Sequence, residues 1–194
     1  MRVHGYLSGL GVIRICWIIF VTVWLLGAIS TKRTIYRESS TERARYWLAL
    51  VIGYFLVIKS SSLPFPFDWP VVPHTTSSAC IGAFLCVSGL VFAIWARVIL
   101  GRNWSGVITL KEGHELIERG PYRVVRHPIY TGIVAMFTGT DIAMGYFGGF
   151  LGLLLVFVSF WLKLKREEDL MLKHFPDKYA AYQGRVKRII PFLV

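Results

Sequence analysis

The apolar residues of this chain are concentrated in five long runs that polar segments separate. About 20 consecutive apolar residues are enough for an α-helix to cross the hydrocarbon core of a bilayer. We therefore predict five transmembrane helices, at residues 8–28, 46–63, 78–100 and 129–145 and, after an uncharged turn at 146–149, a fifth that ends near residue 164. Beyond it, the polar pattern predicts an amphipathic helix over 167–175 and a shorter helix that Pro176 begins.

The polar connections differ in charge, and this difference predicts the side of the membrane on which each lies. The connections at 30–45 and 101–126 are rich in Lys and Arg, whereas the segment 64–73 contains four prolines and neither Lys nor Arg. Because basic residues favour the cytoplasmic side, we predict that 30–45, 101–126 and the C-terminus are cytosolic. The N-terminus and residues 64–73 then lie outside.

Composition agrees with an integral membrane protein. Hydrophobic residues make up 55% of the 194 residues, against about 45–50% in soluble domains. The formal net charge of +11 would favour nucleic acid in a soluble chain, but these basic residues flank apolar runs, where anionic membrane lipids account for them. We therefore predict membrane lipids, and no nucleic acid, as partners. Cys16, Cys80 and Cys86 lack the spacing of a metal site, so we predict neither a metal nor a disulfide.

The densest polar chemistry lies where the fourth apolar run begins. His127 precedes Pro128, which suits the first position of a helix, and the N-terminal end of a helix favours an anion. Arg126 strengthens that preference, while Glu167 and Glu168 add negative charge after the fifth run. S-adenosylmethionine suits such a site, because it carries a cationic sulfonium and ammonium and an anionic carboxylate. The same residue types also suit a basic loop that only contacts lipid phosphates and headgroups.

Several spaced motifs in the C-terminal half decide between these interpretations. They are Leu100-Gly-Arg-Asn-Trp-Ser105, Gly113-His-Glu-Leu-Ile117, Gly120-Pro-Tyr-Arg-Val-Val-Arg-His-Pro-Ile-Tyr130, Glu167-Glu-Asp-Leu170, Phe175-Pro-Asp-Lys-Tyr179 with Tyr182, and Arg188-Ile-Ile-Pro191. This ordered set closely resembles the isoprenylcysteine carboxyl methyltransferase family. The resemblance covers roughly the C-terminal half, and the N-terminal runs match only as hydrophobic segments.

The resemblance implies the fold and the methyl donor. The expected fold class is all-α, a polytopic membrane protein with about five transmembrane helices and a cytosolic cofactor pocket formed by the C-terminal half. One membrane domain would span 1–194, with N-terminal transmembrane helices in 1–100 and the catalytic region in 101–194. The implied cofactor is S-adenosyl-L-methionine, and the residues implied to hold it are His114, Glu115, Leu116, Ile117, Tyr122, His127, Pro128, Ile129, Tyr130 and Glu167.

One position departs from the family pattern. The family has an arginine four residues before the glutamate that corresponds to Glu167, and it is implied to orient the substrate carboxylate; this chain has Lys163 there. A lysine keeps the charge but loses the planar, two-point grip on a carboxylate. We expect Lys163 to bind the acceptor, with Arg126 or Arg166 compensating for the missing arginine, and Lys163, Arg126 and Glu167 to form the catalytic group.

The function that the resemblance implies is carboxyl methylation of a C-terminal prenylcysteine or a similar lipophilic carboxylate at the cytosolic membrane surface. A carboxylate is already ionised at neutral pH, so no general base is needed. A phospholipid amine or a small thiol is the alternative acceptor. An amine would first have to lose a proton, and His114 or Glu168 would then act as base. Two further classes remain: an NADPH-dependent membrane reductase and a lipid-binding protein without catalysis.

Overall fold

The computed structural model of the chain describes residues 2–29, 33–111, 113 and 115–190. In this part of the chain there are six α-helices and one pair of short strands. The helices are α1 Arg2–Ile29, α2 Ser40–Lys59, α3 Thr76–Leu100, α4 Pro128–Met144, α5 Phe147–His174 and α6 Pro176–Arg185, and the strands are β1 Thr34–Arg37 and β2 Thr109–Lys111.

The expected all-α class is confirmed, and α1 to α5 lie where the five apolar runs are. Among the described residues, three helices, over Gly5–Ile29, Thr76–Asn103 and Phe147–His174, are long and apolar enough to cross a membrane. The other two helices differ from these: α4 is shorter, with 17 residues, and the first turns of α2 carry Arg43 and Arg45. The chain is an integral membrane protein, and the number of spans stays a prediction.

Helix α5 is longer than expected. The sequence predicted a span that ends near residue 164 and a separate amphipathic helix over 167–175, but α5 runs unbroken from Phe147 to His174. No Pro or Gly lies between Leu153 and Phe175, so nothing interrupts the helical hydrogen bonds before Pro176. One rigid helix therefore carries both an apolar half and the Glu167-Glu168 pair.

Small residues let the helices pack closely. A Cβ atom on Gly89 of α3 would lie 2.5 Å from the carbonyl oxygen of Gly132 in α4. A Cβ atom on Gly132 would lie equally close to the carbonyl oxygen of Gly89. Gly53 of α2 and Gly152 of α5 approach each other in the same way. Close backbone contact of this kind is typical of helix interfaces in membranes. The result is two tightly packed pairs, α3 with α4 and α2 with α5, with α1 against α3.

The connections gather at two opposite ends of the bundle. At one end, the amides of Val71 and Val72 donate to the carbonyl oxygen of Gly145, and the Tyr6 hydroxyl donates to that of Ala143. At the other end, β1 pairs antiparallel with β2, so the 30–45 and 101–126 connections meet. This grouping is the one expected from the charges. Which end faces the cytosol stays a prediction.

Candidate active site

A cavity of about 730 Å³ opens at the end of the bundle where β1 and β2 lie. Its walls come from all six helices, α3 contributing Leu100, and from the 103–109, 115–117 and 122–127 connections. One part is polar, with Glu167, Lys163 and His127 in its wall; the other is aromatic and apolar. A single space thus joins charged groups to a lipophilic channel, within the size range of sites that hold small ligands.

Four side chains at the polar part form what we call the cavity-side cluster: Glu167, Tyr130, His127 and Lys163. The Tyr130 hydroxyl donates to Oε1 of Glu167 at 2.8 Å. Nδ1 of His127 lies 3.7 Å from Oε2, and Nζ of Lys163 lies 3.8 Å from Oε1. The side chain of Glu167 is still 22% exposed, so its carboxylate can meet a ligand in the cavity.

Lys163 is buried and held in place. Its ammonium donates to the carbonyl oxygen of Gly106 at 2.8 Å. The same nitrogen lies 5.4 Å from the centre of the Tyr130 ring and 5.7 Å from that of Tyr46, close enough for cation–π attraction. One charged group thus faces the cavity from α5 at a fixed position, one helical turn before Glu167.

The neighbouring carboxylate, Glu168, meets this cluster at His127 and is almost fully buried. Its Oε1 accepts from Nε of Arg126 at 2.8 Å and lies 3.1 Å from Nε2 of His127. Its Oε2 accepts two bonds from Arg188, at 3.0 and 2.6 Å, and one from Gln183 at 3.3 Å. Both carboxylate oxygens are therefore satisfied, as a buried charge requires. We call Glu168 with these partners the tail-side cluster.

The C-terminal segment 186–189 is bound to the start of α4. The amides of Arg126 and His127 donate to the carbonyl oxygens of Lys187 and Arg188 at 2.8 and 3.0 Å, and the Thr131 hydroxyl donates to that of Ile189 at 2.7 Å. The tail therefore occupies the amides of Arg126 and His127, directly before the first helical residue, Pro128. The His127 side chain makes no capping hydrogen bond to α4, and its ring lies between Glu167 and Glu168.

Tyrosine hydroxyls bind α6 to the same region. Tyr182 donates to the carbonyl oxygen of Tyr122 at 2.6 Å. Burial raises the pKa of Tyr182 above its usual range, so the hydroxyl stays protonated and can donate at any physiological pH. Burial raises the pKa of Tyr122 in the same way. These tyrosines therefore act as neutral structural groups beside the cavity.

The structure brings nearly all of the expected site residues together. Those that line the cavity are Glu115, Leu116, Ile117, Tyr122, Arg126, His127, Pro128, Ile129, Tyr130, Lys163 and Glu167. His114 lies outside the described residues. Arg126, expected to help orient the acceptor, instead gives its guanidinium to Glu168 and to the carbonyl oxygen of Val186, because a buried carboxylate needs a cationic partner.

Sequence reasoning missed the contribution of the N-terminal half. Trp17, Phe20 and Trp24 of α1 line the apolar part of the cavity, and Phe20 stacks on Trp24 with ring centres 4.0 Å apart. Their spacing of three and four residues places them on one helix face, which is the signal that could have found them. Tyr46 of α2 also lines the cavity, and no local pattern distinguishes it.

Residues 77–178, slightly more than half of the chain, match the family model described as phospholipid methyltransferase. The match includes α4, α5 and the connection between α3 and α4, and thus all four residues of the cavity-side cluster. It leaves out α1, α2, β1 and the C-terminal tail. Family membership therefore rests on the region that the motifs had singled out.

Curated relatives are methyltransferases. The protein-S-isoprenylcysteine O-methyltransferase of Schizosaccharomyces pombe is 28% identical over 166 residues, which are 76% of this chain and 67% of that protein. The protein of the same name from Dictyostelium discoideum is 25% identical over 96% of this chain and 76% of its own length. The Homo sapiens protein is 27% identical over 88% of this chain and 60% of its length, so the chain spans only part of several relatives.

A solved structure shares the fold. It is that of the eukaryotic intramembrane Ras methyltransferase, isoprenylcysteine carboxyl methyltransferase, with a TM-score of 0.54 and 25% sequence identity. The superposition covers 82% of this chain and 55% of that one. The expected resemblance is thus confirmed in sequence and in structure. The chain belongs to the phospholipid methyltransferase family and shares the fold of the isoprenylcysteine carboxyl methyltransferases.

Proposed function

We propose that this protein is an S-adenosylmethionine-dependent methyltransferase that esterifies the carboxylate of a C-terminal prenylcysteine or a similar lipophilic acid. The observation that carries the proposal is the single cavity in which the cavity-side cluster opens directly into an aromatic, apolar space. Such a space suits a ligand pair of which one member is charged and the other combines a carboxylate with a lipid tail. Family membership and the curated relatives support the same reaction class.

The residues present suit the proposed methyl donor. S-adenosylmethionine supplies a methyl group on a positively charged sulfur. Glu167 offers a partly exposed carboxylate, and Tyr130 offers a ring face beside it, the two groups that a sulfonium or an ammonium prefers. Leu116 and Ile117 give apolar wall to the same cavity. We propose that Glu115–Ile117, Tyr122, His127–Tyr130 and Glu167 bind the donor, and that His114 joins them.

For the acceptor, we propose that Lys163 binds the carboxylate. Its ammonium is fixed by the Gly106 carbonyl oxygen and has further N–H groups to donate. The lipid tail would lie along Trp17, Phe20 and Trp24 in the apolar part of the cavity. Arg126 does not bind the acceptor in this proposal. It binds Glu168 and the tail, and so positions the part of the cavity wall that they support.

The reaction needs no proton transfer. A carboxylate oxygen of the acceptor forms a bond to the methyl carbon while the carbon–sulfur bond breaks and its electron pair stays on sulfur. The products are a methyl ester and an uncharged thioether. The protein therefore has to align the two reactants and exclude water, which is the positioning role that a fixed Lys163 and a buried cavity can fill. We propose that this site faces the cytosol.

The test is a methyl-transfer assay with detergent-purified protein and isotopically labelled S-adenosylmethionine. The acceptors are N-acetyl-S-farnesylcysteine, N-acetylcysteine without the lipid, the farnesylcysteine methyl ester, phosphatidylethanolamine and an alkyl thiol. We expect label only in farnesylcysteine, in a form that base releases as methanol. The methyl ester is the matched control, because it keeps the lipid and blocks the carboxylate.

Other outcomes would change the assignment. Label on phosphatidylethanolamine or on the thiol would keep methyl transfer but replace the acceptor class. Equal labelling of N-acetylcysteine and its farnesylated form would refute a lipid-binding role for the apolar cavity. Transfer to none of the acceptors would contradict the proposal and favour a lipid-binding protein without catalysis.

A further inference from the structure

We propose that Glu38, in the connection between β1 and α2, is a positioning residue for the methyl acceptor. It fixes the 106–108 segment, and through the Gly106 carbonyl oxygen it fixes the ammonium of Lys163. This inference rests on the proposed function, because it concerns the acceptor that Lys163 would bind. It assigns a part in the site to a residue far from every motif in the C-terminal half.

Glu38 is buried, with an exposed fraction of 6%, although it lies in a polar connection. Its Oε1 accepts from the amide of Ile108 at 3.2 Å and from the hydroxyl of Tyr46. Its own amide donates to the carbonyl oxygen of Ile108 at 3.1 Å. Glu38 therefore forms both a main-chain and a side-chain hydrogen bond with Ile108, directly beside the β1–β2 pair.

The consequence for Lys163 follows from the chain geometry. Gly106 is two residues before Ile108, and its carbonyl oxygen accepts from Nζ of Lys163 at 2.8 Å. Gly106 is exposed, and a Cβ atom there would meet only the Trp104 ring at 3.6 Å, so neighbouring packing holds this residue weakly. The position of the Gly106 carbonyl oxygen, and hence its hydrogen bond with Lys163, then depends on Glu38 and β2. Tyr46 couples them further, because its ring faces Nζ of Lys163.

The second carboxylate oxygen is a further indication that Glu38 is held in place. Oε2 of Glu38 is buried and has no hydrogen-bond partner among the described residues. A buried carboxylate oxygen without a partner is costly. It persists where the surrounding structure holds the group in place, which here means the bonds of Oε1 to Ile108 and Tyr46. Glu38 is thus placed by structure that also builds the cavity wall, although it does not line the cavity itself.

The experiment measures acceptor KM and S-adenosylhomocysteine affinity in parallel, with N-acetyl-S-farnesylcysteine as the acceptor probe. The variants are Glu38→Ala, Glu38→Gln and, as a milder change, Glu38→Asp. Loss of a hydrogen-bonded charged group should raise the acceptor KM about tenfold in Glu38→Ala. We expect Glu38→Gln to remain near wild type, because its amide oxygen can still accept from Ile108. Cofactor affinity should be unchanged in all three.

A double-variant cycle separates positioning from general damage. In a Lys163→Met background, Glu38→Ala should have no further effect on acceptor KM, because Lys163 is the group through which Glu38 acts. Glu118→Ala is the matched control, since it removes a carboxylate whose ion pair with Arg185 is exposed. It should leave the acceptor KM unchanged.

Three results would overturn the inference: an unchanged acceptor KM in Glu38→Ala, an equal loss in the Lys163→Met background, or a parallel loss of cofactor affinity in folded protein. If Glu38→Ala fails to fold, the acceptor KM of Glu38→Asp is the test, because this variant withdraws the carboxylate with little change in volume. An unchanged acceptor KM in Glu38→Asp would also overturn the inference. A wild type that neither binds S-adenosylhomocysteine nor methylates the probe rejects the proposed function itself, which distinguishes the two failures.

Discussion

Glu167 and Glu168 are neighbours in the sequence, yet they belong to two regions of different character. Glu167 faces the cavity, keeps 22% of its side chain exposed and is met by Tyr130, His127 and Lys163. Glu168 has a side chain only 3% exposed, and two arginines, a histidine and a glutamine surround it. Successive helical residues point about 100° apart, so one helix serves both regions.

The difference lies in how complete each set of partners is. The tail-side cluster satisfies its carboxylate with five N–H groups, and it joins α4, α5, α6 and the tail. The cavity-side cluster contains one short hydrogen bond and two longer contacts to Glu167, from His127 and Lys163, and so retains capacity for a ligand. A saturated buried charge holds structure together, whereas an unsaturated charge in a cavity wall can bind. His127 contacts both regions and connects them.

The largest expected effect is on stability, from Glu168→Ala. Removing this carboxylate leaves the largely buried Arg126 and the half-buried Arg188 without their anion, and loss of one partner from a buried ion pair costs about 3–5 kcal/mol. We expect a large fall in the denaturation midpoint of the detergent-purified protein. Glu167→Ala, measured in the same way, should change it little. Similar losses of stability in both variants would erase the distinction between the two regions.

The next effect is on the acceptor, from Lys163→Ala. Removing a charged hydrogen-bond donor should raise the acceptor KM roughly tenfold to a hundredfold, while cofactor affinity changes less. Lys163→Arg keeps the charge and adds a planar donor, so its loss should be smaller. Steady-state kinetics with N-acetyl-S-farnesylcysteine measure both. Unchanged turnover in Lys163→Ala would remove this residue from acceptor binding.

The smallest effect is expected from Tyr130→Phe, which deletes only the hydroxyl on Glu167. The ring remains in the cavity wall, so we expect a loss of about 1 kcal/mol in S-adenosylhomocysteine binding, roughly fivefold in affinity. The denaturation midpoint should stay near that of the wild type. A loss of stability without a loss of affinity would assign Tyr130 to the structural region instead.

Much of the architecture could be predicted because it depends on local pattern. Runs of apolar residues predicted α1 to α5, and the prolines at 128 and 176 predicted the starts of α4 and α6. The continuity of α5 could also have been predicted, because no Pro or Gly lies between the fifth span and the amphipathic segment. The local sequence was therefore sufficient to predict one helix, but the change from apolar to polar residues led to a prediction of two.

The remaining features depend on contacts between distant residues. The β1–β2 pair joins Thr34 to Lys111, and no local pattern in either segment indicates the other. The choice between Glu167 and Glu168 for the cavity depends on Arg188 in the tail, 20 residues away. Glu38 looked like one more charge in a polar connection, and its burial depends on Ile108, 70 residues later. Such roles become visible only when the chain is folded.

The most direct test is calorimetric titration of the purified protein with S-adenosylhomocysteine, run with the wild type, Glu167→Gln and an NADPH control. We expect the wild type to bind S-adenosylhomocysteine and not NADPH. Glu167→Gln keeps the shape of the side chain but loses its charge, so we expect it to weaken binding about tenfold while the denaturation midpoint is unchanged. A folded wild type that does not bind, or a Glu167→Gln variant that binds equally well, would contradict the assignment of the cavity-side cluster to the methyl donor.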